Sequence, residues 1–330
     1  KMQKTALLLA KTDDRIPVRI LEDGGQSWIL DSEIRGLSDT TIENRQIFVR
    51  NTLWFFREFG HDYVGQQELK QYLAYVASGD KSNKSRWGRP YKRQKIRPRT
   101  VATYFTNLYT FFSYMESEGM IDSSPVGKIK PPIARQDQIQ PFTPQQVDTL
   151  LKAAKRSRHP KRDEAIVLFL LDTGVRASEL CNLRIPDLDM PGRRCRVLGK
   201  GNKYRSVFFG KTTAKALWQY FREEARDDDS WVFLSDRGTK SGEGLTRSGL
   251  RQLIERLGKV AGIQSARCSP HTFRHTFAVE FLRGGGNVFS LKELLGHTSL
   301  TICNRYIALA QADLERQHRQ YSPADRLRKK

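Results

Sequence analysis

The apolar pattern of this chain is interrupted between residues 125 and 144, where prolines and glutamines replace most apolar residues. This composition is typical of an extended linker between folded units. The chain has 330 residues, whereas a typical domain has about 100 to 200. We therefore predict two folded units. Their expected bounds are a short N-terminal extension at 1–26, a helical domain at 27–125, a linker at 126–143, and a second domain with a C-terminal tail at 144–330.

Apolar residues recur at helical spacing through most of the first unit. A helix is predicted from Leu37, where Thr40 and Glu43 can form a capping box. The remaining predictions are helices at 67–76, from Pro98, at 144–157, at 163–172 and beyond Thr246, with strands at 194–198, 204–209 and 231–234. The expected fold class is multidomain α and α+β. A helical domain precedes a mixed, mainly helical domain with a small antiparallel sheet.

The charge of the chain points to a polyanionic partner. Lys and Arg number 57 against 36 Asp and Glu, a formal net charge of +21. Nucleic acid is the polyanion that such a chain most often meets, although a basic protein kept soluble by its charge remains an alternative.

Residues 80–99 concentrate this charge, with nine Lys or Arg and one acidic residue. We predict that this segment contacts DNA phosphates, the alternative being a flexible, solvated loop. The candidate DNA-binding residues are Lys84, Arg86, Arg89, Lys92, Arg93, Lys95, Arg97 and Arg99.

Several other classes of protein are disfavoured by the sequence. The longest apolar run near the start covers residues 6–10, far short of a signal-peptide core or of the ~20 residues that span a bilayer. The four cysteines are widely scattered, which suits neither a zinc site nor a disulfide framework. We expect a soluble, cytoplasmic, nucleoid-associated protein with reduced cysteines, no metal and no membrane partner.

Two basic motifs lie in the second unit. In Thr173-Gly174-Val175-Arg176-Ala177-Ser178-Glu179-Leu180, the glycine permits a tight turn and Arg176 opens a helix that it shares with Glu179 at i, i+3. Taken alone, this pair reads as a surface ion pair. Leu198-Gly199-Lys200-Gly201-Asn202-Lys203-Tyr204-Arg205 reads as a β-hairpin with Lys200 near its tip. It lacks the glycine spacing and the Lys-Ser/Thr pair of a Walker loop.

Three further motifs follow toward the C-terminus. His271-Thr272-Phe273-Arg274-His275 places His271 and Arg274 on one helical face, which suits an anion. Leu295-Gly296-His297 follows another helix, and Tyr306 comes nine residues after His297. In isolation, His297 and Tyr306 would each read as an ordinary packed side chain.

Together, these residues suit phosphoryl transfer without a metal. Guanidinium groups bind nonbridging phosphate oxygens bidentately. The pentavalent transition state gains negative charge, which fixed donors stabilise. A tyrosine hydroxyl ionises near ~10, so it needs cationic surroundings, and a base would help it to attack at neutral pH. The leaving sugar oxygen needs a proton, which Lys200 could supply.

The order and spacing of these motifs resemble the tyrosine recombinase, or phage integrase, family, including its Xer-type and mobile-element members. The resemblance covers residues 27–321. It implies that Tyr306 is the nucleophile, that Arg176 and Arg274 bind the scissile phosphate, and that Lys200 is the general acid. It further assigns His271 and His297 to the catalytic set and Glu179 to the support of Arg176. Ile302 and Cys303 stand where the family commonly has small polar residues, a difference that bears on substrate or partner detail.

The resemblance also implies an architecture and a reaction. A helical core-binding domain and a catalytic domain would form a C-shaped clamp on double-stranded DNA. A homotetramer would join two specific core sites and exchange strands through a 3′-phosphotyrosine and a Holliday junction, without cofactor or ATP, for integration or excision of a mobile element. The alternatives are a type IB topoisomerase, a dimer-resolution recombinase, a noncatalytic DNA-binding relative and a metal-dependent nuclease, the last disfavoured because no ligand cluster accompanies the motifs.

Overall fold

The computed structural model describes residues 15–80, 85–89, 96–134, 140–199, 204–223, 229–235, 243–297, 299–310, 318–319 and 322–327. The chain divides into two compact units, residues 1–137 and 138–330. Within the described residues, no helix is long and apolar enough to cross a bilayer.

The first unit is helical in its described part. Its elements are β1 (Ile16–Pro17), α1 (Val18–Ile34), α2 (Asp39–Glu58), β2 (Tyr63–Val64), α3 (Gln66–Ser78), α4 (Pro98–Ser117) and a 3-10 turn (Pro125–Lys128). The strands β1 and β2 pair antiparallel. Aromatic side chains fill much of the core because they recur at helical spacing on α1, α2 and α4. Trp28, for example, packs against Phe111 with ring centroids 5.3 Å apart.

Residues 16–26 do not form a separate extension, which differs from the expected bounds. They contain β1 and the first half of α1, where Leu21 is buried in the core of the unit. The pair Gly24-Gly25 breaks up the apolar periodicity here, and this helix is therefore hard to recognise from sequence. The next helix begins after Ser38, whose backbone is extended, so the cap is not at Thr40.

The segment expected to be a linker is partly packed. Val126 and Ile129 are buried in the core of the first unit, and Phe142 is buried in the core of the second. Apolar side chains at both ends of the range 126–143 thus belong to the folded units. The sequence pattern missed them because each is an isolated apolar residue among prolines and polar residues.

The second unit contains most of the remaining described elements. These are α5 (Pro144–Lys155), α6 (Pro160–Thr173), α7 (Ala177–Cys181), β3 (Leu188–Asp189), β4 (Arg194–Leu198), β5 (Tyr204–Phe208), α8 (Lys211–Glu223), α9 (Arg247–Val260), α10 (Pro270–Arg283), α11 (Val288–Leu295), α12 (Asn304–Ala310) and α13 (Pro323–Leu327). The strands form one antiparallel sheet in the order β3-β4-β5. The prediction of a strand at 231–234 is wrong. Trp231 and Leu234 form only isolated bridges, to Arg184 and Gly244.

Two apolar clusters position the site in this unit. The larger one surrounds α6, whose Ile166, Phe169 and Leu170 are fully buried. The smaller one joins α10, α11 and α12, and it includes Leu295 and Tyr306. Because α6 and α11 each end beside α10, their last carbonyl groups meet the polar side chains of α10.

Candidate active site

Arg274 is the most firmly held polar residue of this region. Its side chain is 5% exposed. Nη1 donates to the carbonyl oxygen of Gly174 at 2.8 Å, and Nη2 donates to that of Leu295 at 2.6 Å. The last carbonyl groups of a helix have no partner inside the helix and form the negative end of its dipole, so a buried cation is stable there. Burial lowers the pKa of Arg274 to about 10, so the guanidinium stays charged at neutral pH.

Glycines at the ends of α6 and α11 make these carbonyl groups accessible. Gly174 and Gly296 adopt left-handed conformations, with φ of 59° and 63°. A Cβ at Gly174 would also lie 2.5 Å from Cδ1 of Phe277. Both the conformation and the space therefore require glycine at this helix end.

Arg176 belongs to a charge network centred on the buried Glu179. Arg176 Nη1 donates to Oε1 of Glu179 at 2.8 Å, and the Arg176 backbone N–H donates to Oε2 at 2.7 Å. Arg205 on β5 donates to the same two oxygens at 2.6 and 2.8 Å. Burial alone would raise the pKa of Glu179, but hydrogen bonds from Arg205 and Arg176 outweigh it and lower the pKa to about 2. Glu179 is therefore ionised and orients both guanidinium groups.

The same network joins the hairpin to α11. Arg205 Nε donates to the carbonyl oxygen of Leu294 at 2.9 Å, and Arg176 Nη2 donates to that of Gly296 at 3.2 Å. Arg176 and Arg274 thus contact neighbouring carbonyl groups at the end of one helix. This brings two motifs that are about 100 residues apart into one site.

Tyr306 lies at this site with its side chain 3% exposed. Its Oη is 3.0 Å from Nδ1 of His275. Its ring lies nearly parallel to that of His297, with centroids 6.4 Å apart. Burial raises the pKa of Tyr306, although the charge of Arg274 opposes this. The hydroxyl is therefore protonated at neutral pH.

His297 is held through both ring nitrogens. Arg274 Nη2 donates to Nε2 at 2.9 Å, and Nδ1 lies 3.4 Å from Sγ of Cys303. A guanidinium group can only donate, so Nε2 accepts and Nδ1 carries the proton. Burial, followed by the charges of Arg274 and Arg176, lowers the pKa of His297 to about 4, which leaves the ring neutral at pH 7.

Of the predicted catalytic residues, five meet here, namely Arg176, Glu179, Arg274, His297 and Tyr306. His271 lies one turn before Arg274 with an exposed side chain. Partial burial of the ring and then the charges of Arg274, Arg267 and Arg176 lower the pKa of His271. Lys200 lies outside the described residues, between the paired residues Leu198 and Tyr204 of the hairpin.

Two residues of this site were not singled out from the sequence. Arg205 is the last residue of the predicted hairpin segment and His275 directly follows His-x-x-Arg, but only the fold shows what they contact. The signal available in advance was that both are polar residues directly beside motif residues.

The basic segment requires a correction. Arg86 was predicted to bind DNA, but it is 2% exposed, and its guanidinium donates to the carbonyl oxygens of Val76 and Ala77 at the end of α3. Arg86 therefore caps a helix, since those carbonyl groups need donors. Trp87 is also buried, within the aromatic core.

The other predicted DNA-binding residues differ in their surroundings. Arg97 and Arg99 are exposed where α4 begins, and Arg89 is partly buried. Lys84, Lys92, Arg93 and Lys95 lie outside the described residues.

In the part of the chain that is described, no group of three or more His, Cys, Asp or Glu side chains is arranged to hold a metal ion.

Comparison with known proteins identifies the family. The phage integrase family model matches residues 140–313. A tyrosine recombinase XerD from Listeria innocua serovar 6a is 32% identical over 234 residues, covering 68% of this chain and 77% of that protein. A tyrosine recombinase XerD from Listeria monocytogenes serovar 1/2a is 29% identical over 281 residues, covering 83% and 93%.

Solved structures share the fold. The Tn1549 transposon integrase in complex with a circular intermediate DNA matches with a TM-score of 0.67 at 19% identity, covering 89% of this chain and 99% of that one. A lambda integrase dimer bound to a core site matches with a TM-score of 0.65 at 17% identity, covering 85% and 96%. The predicted fold class, a helical part and a mainly helical part with small antiparallel sheets, is confirmed. The chain therefore belongs to the phage integrase family and is a tyrosine recombinase, an enzyme that transfers DNA strands.

Proposed function

We propose that this protein is a site-specific recombinase that cleaves DNA through Tyr306 and rejoins it by way of a 3′-phosphotyrosine and a Holliday junction, with neither metal nor ATP. It would act on double-stranded DNA in the cytoplasm and serve the integration or excision of a mobile element. The observation that carries this proposal is the meeting of Arg176, Arg274 and His297 around a buried tyrosine.

The arginines can bind the scissile phosphate because they retain donors. A guanidinium group has five N–H donors. The described hydrogen bonds of Arg274 use three of them, on Gly174, Leu295 and His297. The remaining donors would contact the nonbridging oxygens, whose negative charge grows in the transition state. Loss of one such donor typically costs about 3 to 4 kcal/mol of transition-state stabilisation.

In the proposed reaction, Oη of Tyr306 attacks phosphorus and the 5′ sugar oxygen leaves. Lys200, which the sequence predicts near the tip of the hairpin, would protonate that oxygen, since an alkoxide is a poor leaving group. His271 would add a donor to the phosphate from the exposed end of α10. Glu179 would keep Arg176 in place throughout.

A nicked suicide duplex tests the nucleophile. Wild-type protein should form a covalent adduct, because the cleaved strand is lost before it can rejoin. Tyr306→Phe should bind the same duplex and form no adduct, because only the hydroxyl is removed. EDTA should leave the wild-type adduct unchanged. An adduct in Tyr306→Phe would overturn the assignment.

The alternative of a topoisomerase is tested by the outcome on plasmids. A recombinase should exchange strands only between two core sites, whereas a topoisomerase should relax supercoils on a plasmid without them. Relaxation without recombination would contradict the proposal. Recombination confined to repeated sites on one replicon would favour dimer resolution over integration.

We further infer a homotetramer on synapsed DNA, in which the C-terminal tail of one copy docks on its neighbour. A groove of about 610 Å³ on the second unit, lined by Leu168, Leu171, Phe277 and Phe281, offers an apolar acceptor. Truncation after Ala310 should leave DNA binding nearly intact and abolish synapsis. Unchanged recombination would instead indicate a tail that folds on its own unit.

A further inference from the structure

His275 contacts the tyrosine hydroxyl, unlike the residues that would contact phosphate. It follows Arg274 on α10, and its ring is partly buried beside the tyrosine. Its Nδ1 is 3.0 Å from Oη of Tyr306, within hydrogen-bond distance, and the two ring centroids are 5.7 Å apart. Among the described residues, His275 is the side chain that forms a hydrogen bond with the hydroxyl of Tyr306.

The other two histidines of the site are less suited to take a proton from Tyr306. His297 has both ring nitrogens engaged, with Arg274 and with Cys303, and its ring stacks on that of the tyrosine. His271 lies on the first turn of α10 with an exposed side chain. A group that accepts the proton must reach the hydroxyl oxygen itself.

We propose that His275 is a catalytic residue that accepts the proton of the Tyr306 hydroxyl during cleavage and returns it during rejoining. This inference rests on the proposed function of Tyr306. As the Oη–P bond forms, the proton moves from Oη to Nδ1. The P–O5′ bond breaks, and the sugar oxygen leaves with its electron pair and takes a proton from the general acid. Rejoining reverses each transfer.

The protonation states support this direction of the hydrogen bond. Burial, and then the charges of His271, Arg274 and Arg305, lower the pKa of His275 to about 4, so the ring is neutral and can accept. Burial raises the pKa of Tyr306, so the hydroxyl carries its proton. Nδ1 accepts from the hydroxyl in the ring tautomer that carries its proton on Nε2, and this is the tautomer that the proposed proton transfer requires.

DNA itself would strengthen this base. The pKa of His275 is low partly because cationic residues surround it. A bound phosphate places negative charge among those residues, which raises the pKa of a neighbouring histidine. Formation of the Oη–P bond makes the phenol proton more acidic at the same moment. Proton transfer is thus coupled to the presence of DNA.

The decisive experiment replaces the nucleophile by one that needs no base. Single-turnover cleavage of the suicide duplex is measured for His275→Ala with tyrosine at position 306, and again with a fluorinated tyrosine whose phenol is ionised at neutral pH. A lost proton acceptor should slow cleavage by about 10² to 10⁴-fold with ordinary tyrosine. With the fluorinated residue, His275→Ala should cleave within about 10-fold of the protein that keeps His275 and carries the same residue.

Two controls separate proton transfer from other roles. His275→Gln keeps a hydrogen-bonding side chain that cannot take up a proton, so it should be as slow as His275→Ala and rescued in the same way. His271→Ala should show no such rescue. Binding of the duplex is measured for every variant, and efficient rescue also demonstrates an intact fold.

Several outcomes would overturn the inference. These are cleavage by His275→Ala at or above the wild-type rate, a loss that the fluorinated tyrosine does not restore, full activity of His275→Gln, or rescue of His271→Ala in place of His275→Ala. The proposed function is tested separately, because it fails if Tyr306→Phe forms a covalent adduct. Adduct formation by the wild-type protein and not by Tyr306→Phe shows that the role of Tyr306 holds even where the inference about His275 fails.

Discussion

The hairpin offers a matched pair of substitutions that tests the charge network. Arg205 on β5 and Arg196 on β4 both pair with a carboxylate. The Arg205 side chain is 14% exposed and its partner Glu179 is 1% exposed. The Arg196 side chain is 66% exposed and its partner Asp187 is 22% exposed, at 3.2 Å. Arg205→Ala should therefore destabilise the second unit, whereas Arg196→Ala should have little effect.

The expected loss in free energy of unfolding depends on whether the substitution leaves a buried charge without its partner. Breaking a buried ion pair typically costs about 3 to 5 kcal/mol, because one charge stays buried without its partner. Glu179 would keep its contacts with Arg176, so we expect the lower end, about 3 kcal/mol. The exposed pair of Arg196 should contribute less than about 1 kcal/mol. Arg205→Lys should recover only part of the loss, because an ammonium group cannot bind both carboxylate oxygens in the same geometry.

Cysteine labelling provides an assay confined to the second unit. All four cysteines, at positions 181, 195, 268 and 303, lie within residues 138–330. Cys195 is 1% exposed on β4, next to the strand that carries Arg205. Pulsed labelling of the full chain across a urea series therefore reports the free energy of unfolding of this unit. Equal losses for Arg205→Ala and Arg196→Ala would refute the reasoning.

Further predictions concern pH, DNA binding and the general acid. His275 and His297 have pKa values of about 4 in the folded protein and ~6.5 when unfolded. Between these values the unfolded chain binds more protons, so the free energy of unfolding should fall in urea titrations as pH drops from 6.5 to 4. The loss per histidine should stay below the roughly 3 kcal/mol of the full shift, because both rings are partly exposed and screened by solvent. Arg86→Ala should destabilise the first unit and leave the salt dependence of DNA binding unchanged. Arg99→Ala should flatten the slope of log K against log salt by up to about 0.9. Lys200→Ala should cleave normal DNA slowly, yet cleave a 5′-bridging phosphorothiolate near the wild-type rate, because a thiolate leaves without a proton.

The local elements were largely predictable because local patterns specify them. Strand β4 has the expected bounds, Arg194–Leu198, and pairs antiparallel with β5 as the hairpin reading required. The helix from Pro98 also begins where expected, since proline favours the first helical position. In both cases the signal lies within a few consecutive residues.

The contacts that complete the site could not be predicted in the same way. Arg274 donates to a carbonyl group 100 residues away, and Arg176 donates to one 120 residues away. Any arginine can serve such a carbonyl group, so the sequence does not reveal which one does. Arg86 shows the converse error. It reads as one more positive charge in a basic run, yet the end of α3 is near enough to take up its guanidinium.

The partners of the arginines leave a net positive charge that suits the proposed phosphoryl transfer. Arg176, Arg205 and Arg274 contribute three positive charges and Glu179 contributes one negative charge, so these four residues sum to +2. Arg274 rests on carbonyl groups, which orient it without cancelling its charge. A second carboxylate in that position would hold the side chain equally well but would remove half of the net charge. A pentavalent phosphorane carries about two negative charges, so fixed donors with uncancelled charge favour it over the singly charged phosphodiester.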